Sequence, residues 1–210
     1  IISPLLSNLY LNEVDEMMER AREVTRSKGY ENLDFIRSAD DMVILVHWHP
    51  KEDWILQKVQ KRHKEELDKL EVEMNLEKTK VVDLKKGGSF SFLGFDFRLT
   101  RNREGKAYVS KTPRKKKCIE IGKRVRAVLK ANWNKPLKEV IQTVNATISG
   151  WVNYFRIGNS NSAFSKVRDY LEMKVRKFVL RRKKLKGFGW KRWSREEIYG
   201  KWGLYNDYRI

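Results

Sequence analysis

The stretch Phe35-Ile36-Arg37-Ser38-Ala39-Asp40-Asp41-Met42-Val43-Ile44-Leu45-Val46 places two adjacent carboxylates between two short apolar runs. Leu33, Phe35 and Ile36 read as one strand and Met42 to Val46 as a second, with Asp40 and Asp41 in the tight turn between them. Buried strands on both sides would hold that turn rigidly, as a catalytic metal site requires. Two neighbouring carboxylates repel each other, and a divalent cation offsets that most simply. Mg²⁺ takes few protein carboxylates and keeps positions open for phosphate oxygens. The pair therefore suits metal-assisted phosphoryl or nucleotidyl transfer. An exposed Asp-Asp turn is the plainer reading, because Asp is a common turn former.

Upstream of the hairpin, Ser3-Pro4 marks a helix start, followed by Leu5, Leu6, Leu9, Tyr10, Val14 and Met17 at helical spacing. Downstream, residues 51–74 read as a second amphipathic helix carrying Trp54, Ile55, Val59, Leu67, Leu70 and Met74. Residues 75–110 turn to strand chemistry. Val81, Val82 and Leu84 precede the turn signal Lys86-Gly87-Gly88, and Phe90, Phe92, Leu93, Phe95 and Phe97 follow, with Gly94 inside that strand. A second polar turn spans Arg101 to Lys106, and Tyr108 and Val109 close the sheet region. Beyond Thr112-Pro113 only helices are expected, over Cys118–Leu129, Leu137–Ile148, a segment from Trp151 after Gly150, and Val167–Val179. The fold class is therefore α+β, with hairpins packed on helices followed by an all-α region, and with domains at residues 1–110 and 111–210.

Charge divides the chain in the same way. The 210 residues carry a formal net charge of +19. Residues 1–105 hold 18 Lys and Arg against 20 Asp and Glu, whereas residues 106–210 hold 28 against 7. A near-neutral half with the carboxylate pair is joined to a half suited to polyanions. The hydrophobic content of 40% supports packed cores. Cys118 is the one cysteine, which excludes a disulfide framework and fits a reducing, cytoplasmic interior. His47, His49 and His63 show no metal-ligand spacing. No apolar stretch approaches the roughly 20 residues of a membrane span, so no membrane partner is expected. No signal peptide is visible, and the abrupt Ile1-Ile2-Ser3-Pro4 start reads as the middle of a longer gene product.

Six segments in order resemble the C-terminal portion of group II intron-encoded reverse transcriptases and maturases. Ile2-Ser3-Pro4-Leu5-Leu6-Ser7-Asn8-Leu9-Tyr10-Leu11 resembles the segment after the family's Pro-Gln-Gly motif. Arg37-Ser38-Ala39-Asp40-Asp41 resembles its Tyr-Ala-Asp-Asp box, with Ser38 in place of Tyr. Asn75-Leu76-Glu77-Lys78-Thr79-Lys80 is similar to the lysine motif, and Phe92-Leu93-Gly94-Phe95 to the primer grip. Gly150-Trp151-Val152-Asn153-Tyr154-Phe155 is similar to the maturase signature. Gly187-Phe188-Gly189-Trp190 and Gly203-Leu204-Tyr205 resemble its tail.

The resemblance implies the second part of a polymerase palm over 1–110 and a thumb and maturase region over 111–210. It implies Asp40 and Asp41 as ligands of catalytic Mg²⁺, and Lys78 beside the nucleotide phosphates. The implied partners are structured intron RNA and an RNA/DNA primer-template. The family's first catalytic Asp has no counterpart here. Either the chain is a fragment of the whole enzyme, or another polypeptide supplies the fingers and first palm strand, and the chain alone is expected not to polymerise. Nucleic-acid contact is expected from Gly94, from Lys111, Arg114, Lys115, Lys116 and Lys117, and from Arg181, Arg182, Lys183 and Lys184. Among Trp190, Trp193, Tyr199, Trp202 and Tyr205, most are expected in a core and one or two on RNA. An RNA-binding maturase module without polymerase activity, or a general basic nucleic-acid-binding protein, are the competing readings.

Overall fold

The computed structural model describes residues 2–26, 31–47 and 53–210. Ile1, His49 and the first two residues of the helix expected from 51 lie outside them. The described residues form two compact units, 1–81 and 82–210.

In the first unit, α1 (Ile2–Tyr10) and α2 (Asn12–Thr25) replace the single expected helix, because Leu11 breaks it at φ −93° and ψ 11°. Glu13 and Asp15 in the first turn of α2 and Arg22 in its last complement the helix dipole. The antiparallel hairpin β1 (Leu33–Ser38) and β2 (Asp41–Val46) follows, then α3 (Asp53–Lys69). Val14, Met17, Met18, Leu33, Ile55, Val59 and Leu67 form the core. Leu5, Leu6, Leu9 and Tyr10 of α1 are exposed, contrary to a stripe buried along its whole length. The expected strand at 81–84 is also absent. Asp83 instead builds a turn, its carboxylate accepting from the Lys85 and Lys86 amides and its carbonyl from that of Gly88.

The second unit sets the sheet β3 (Ser89–Phe92), β4 (Phe95–Arg101) and β5 (Ala107–Pro113) beside α4 (Lys115–Ala131), α5 (Leu137–Phe155) and α6 (Asn161–Arg182). Its apolar core takes Phe95 of β4 together with Ile121, Val125, Val140, Ile148, Leu171 and Val175 of the helices. That shared core is why the compact division falls at 81/82 while the charge and sequence character change near 110. No break occurs at Gly150, and α5 runs through it to Phe155. The loop joining α5 to α6 is held by Ser160, whose buried hydroxyl donates to the Phe155 carbonyl at 2.6 Å. A Cβ on Gly158 in that loop would lie 2.7 Å from the Lys111 carbonyl and 2.8 Å from the Phe95 ring. Only glycine allows this approach of loop to sheet. A single π-helical turn, Glu197–Lys201, closes the helical tail.

Candidate metal-site turn and nucleic-acid interface

Ser38 pairs with Asp41 across the hairpin, which leaves Ala39 and Asp40 as a two-residue loop. Asp41 thus opens β2 rather than sitting in the turn, and both carboxylates are exposed. Ala39 holds φ 55°, the left-handed region where a side chain is strained. Arg37 supports that conformation. Its Nη1 donates to the Ala39 carbonyl at 2.8 Å and to Asn8 Oδ1 at 2.9 Å, while Nε meets Asp15 Oδ1 at 2.7 Å and Nη2 meets Oδ2. Bidentate pairing raises the Arg37 pKa and fixes the guanidinium plane. The strands are covered on one face only: Phe35, Met42, Ile44 and Val46 meet the core, while Ile36 and Leu45 are exposed. Both strands flanking the turn thus meet the core on one face, and the clamp from α1 and α2 adds to their hold on it.

Neither carboxylate meets a cation or a hydrogen-bond donor among the described residues, and no group of three metal-ligating side chains occurs among them. Two unpartnered hard oxygen donors fit Mg²⁺, which takes one or two carboxylates and keeps the remainder for water and phosphate. Lys78 lies in the turn Leu76–Lys78, its amide donating to Asn75 Oδ1 at 3.1 Å. Its ammonium is exposed and makes no ion pair among the described residues. The structure does not join Lys78 to the carboxylates by any such contact.

In the second unit, Gly94 lies in a tight turn between β3 and β4, not within one strand. Leu93 and Gly94 both have positive φ, 47° and 79°, the signs of a type I′ turn. Leucine is a costly occupant there. The turn is secured from both sides: the Tyr154 hydroxyl donates to the Leu93 carbonyl at 2.8 Å and the Arg114 amide to the Gly94 carbonyl at 2.9 Å. Tyr154 is therefore an exposed strut of this turn.

The turn brings Gly94 beside the first basic cluster. A Cβ on Gly94 would lie 3.6 Å from the Lys117 side chain. Arg114 sits 3.5 Å from Asp96, and Lys117 3.1 Å from Glu120, whose carboxyl it holds below the usual range. Lys111 is fixed through its backbone: its amide donates to Asn159 Oδ1 at 3.0 Å and its carbonyl accepts from the Asn159 amide at 2.7 Å. Lys115 and Lys116 are exposed and make no ion pair or side-chain hydrogen bond among the described residues, although the charge of Lys116 is felt at Glu120. Three lysines thus occupy the first turn of α4 with no acid among them, at the end where the helix dipole favours negative charge.

The second cluster divides. Arg181 and Arg182 sit in the last turn of α6, where cations complement the dipole. Arg182 also donates to the Lys135 carbonyl at 2.8 Å and lies over the Phe178 ring, so it is a structural cation. Lys183 lies near the Trp193 ring, and Lys184 holds φ 55° as the helix ends.

Sequence spacing concealed a buried network in the tail. Glu172 is fully buried, with its carboxylate 3.0 Å from the buried Arg176, 3.1 Å from Arg195 and 2.6 Å from the Tyr199 hydroxyl. Burial pushes the Glu172 carboxyl up, but the hydrogen bonds from Tyr199, Arg176 and Arg195 together bring it below its ordinary value. Burial and the carboxylate together push the Tyr199 phenol well above its usual range. Trp193, Tyr199, Trp202 and Tyr205 join the core or pack against it.

No curated protein matches the chain. Residues 120–199 match the family described as group II intron, maturase-specific domain. The match runs from the second turn of α4 through α5 and α6 to the π-helical turn, and so includes the Glu172 network. Over residues 120–199, this chain is similar to the group II intron maturase-specific domain.

Proposed function

We propose that the helical unit grips structured group II intron RNA and assists its splicing, with Gly94, Lys111, Arg114, Lys115, Lys116 and Lys117 along the contact. The observation that carries this is the first turn of α4. Like charges gathered at the positive end of a helix are unfavourable until an anion lies against them, and RNA phosphate is such an anion. Among the described residues Lys115 and Lys116 bond no protein acid, and Glu120, which feels the charge of Lys116, is already bonded by Lys117. The maturase-specific match supports intron RNA as the source of the phosphate. On this reading the protein works beside nucleic acid in a cytoplasmic or organellar interior, and none of its described helices is long and apolar enough to cross a membrane.

A salt titration tests it. Each phosphate contact contributes roughly 0.7 to 0.9 to the slope of log affinity against log salt. Replacing Lys115, Lys116 and Lys117 by Ala should lower that slope by up to about three and weaken binding to intron and random RNA alike. An unchanged slope would make those lysines a solvated face.

The clamped Asp40–Asp41 turn favours a second activity, RNA-directed DNA synthesis in a protein that includes this chain. There Asp40 and Asp41 would hold Mg²⁺, which when bound neutralises charge on phosphate oxygens. Arg37 keeps the two carboxylates oriented, and Lys78 would face the nucleotide phosphates. Primer extension by that protein with Asp40→Asn or Asp41→Asn is the test. Retention of most of the rate would refute this activity.

A further inference from the structure

Two exposed aromatic rings lie close to the α6 cations. Gly187, Phe188, Gly189 and Trp190 form an irregular segment against α6, with Gly187 at φ 104° and Gly189 at φ 83°. A Cβ on Gly189 would lie 3.0 Å from the Trp193 ring and 3.2 Å from Arg176 Cβ. The backbone therefore passes tightly over α6 at Gly189 and presents the rings on either side. Trp190 rests on the buried Arg176, the guanidinium carbon 4.0 Å from its ring centre. Phe188 rests on Lys177, the ammonium 3.9 Å from its ring centre. Even so, Trp190 remains 46% exposed and Phe188 51%.

A cation beneath each ring covers one aromatic face and leaves the other to solvent. Residues 181–192 add seven Lys and Arg and no acid around them. Lys184, Lys186, Lys191 and Arg192 make no ion pair among the described residues. Rings held flat on buried or tethered cations, amid unpaired positive charge, meet the two requirements of single-stranded nucleic acid: a π-face for the base and cations for the phosphates.

We infer that Phe188 and Trp190 are stacking platforms for unpaired nucleobases of bound RNA. The lysines and arginines flanking them carry the adjacent phosphates. The site discriminates single-stranded from paired RNA, because bases in a duplex offer no free face. The inference rests on RNA binding by the helical unit and adds to it which RNA feature is selected.

The test uses the full chain, a short oligouridylate, and a blunt RNA duplex of the same length. Phe188→Ala and Trp190→Ala should each lower affinity for the single strand about tenfold and leave duplex affinity nearly unchanged. Trp190→Phe, which keeps a ring over Arg176, should retain most of the single-strand affinity. Phe188 covers only the end of a lysine, so Phe188→Ala decides the matter if Trp190→Ala loses its fold. Equal losses on both RNAs, or none on either, would overturn the stacking role while duplex binding still upheld RNA binding itself. Absence of binding to both RNAs by the unmodified chain would remove both readings. Co-sedimentation with phosphatidylserine vesicles that depends on both rings, without selective loss of single-strand binding, would reassign the patch to a membrane surface.

Discussion

Arg37 and Asp15 bind each other side by side, with both guanidinium edge nitrogens on both carboxylate oxygens, across the interface between β1 and α2. The same guanidinium holds the Ala39 carbonyl, so a helix residue sets the geometry of the loop that carries Asp40. Arg37→Ala or Asp15→Ala should each destabilise the first unit by about 2–3 kcal/mol, because each leaves a largely desolvated charge without its partner. Arg37→Lys should recover only part of this, since lysine cannot pair side by side. Urea unfolding of the single and double mutants measures it. An additive double mutant would show that the two residues act independently.

Asp40 and Asp41 have no protein partner among the described residues, and their removal should leave the fold intact. Asp40→Asn and Asp41→Asn should keep the unfolding midpoint, or raise it slightly by relieving repulsion. Both should weaken binding of Mn²⁺, followed by its electron paramagnetic resonance signal as a stand-in for Mg²⁺. A lowered midpoint with unchanged Mn²⁺ binding would mean that the carboxylates serve the hairpin rather than a cation.

Gly158 sits where β5 meets the loop joining α5 and α6. Gly158→Ala should cost the second unit about 1–3 kcal/mol, because the new methyl meets a backbone carbonyl that cannot turn aside. The Lys111 amide should lose hydrogen-exchange protection in the same variant, since its acceptor is Asn159 in that loop. Gly150→Ala, at an exposed helical position with open space around the site, should instead stabilise slightly.

The Glu172 carboxyl is held below its ordinary value in the folded chain, whereas in the unfolded chain it titrates near about 4.3. Its contribution to stability is therefore complete above that pH and is lost as pH falls through the lower folded value. Glu172→Gln should flatten the acid limb of the stability profile in that window. At neutral pH it should cost about 3 kcal/mol, because Arg176 stays buried without its counter-ion. Thermal melts from about pH 3 to about pH 7 compare the two.

Much of this protein was legible in its amino-acid order. The helices α4, α5 and α6 follow the 3.6-residue spacing of Ile121, Val125, Leu129, Val140, Val144, Val167, Leu171 and Val175, all of which are buried. The hairpin at Leu33–Val46 was visible as two apolar runs about a polar turn. Gly94 and Asp41 fell on the wrong side of a strand end because periodicity does not say which residues take positive φ. The tertiary structure alone decided which cations are free. Arg182 and Lys115 are equally basic in sequence. One caps a helix end that favours positive charge and bonds a carbonyl, and the other crowds an end that disfavours it. It also sorted the aromatics, sending Trp193 inward and leaving Trp190 on a cation at the surface. Local order fixes which side chains are apolar or charged, but their partners come from residues tens of positions away, brought near only when the core closes.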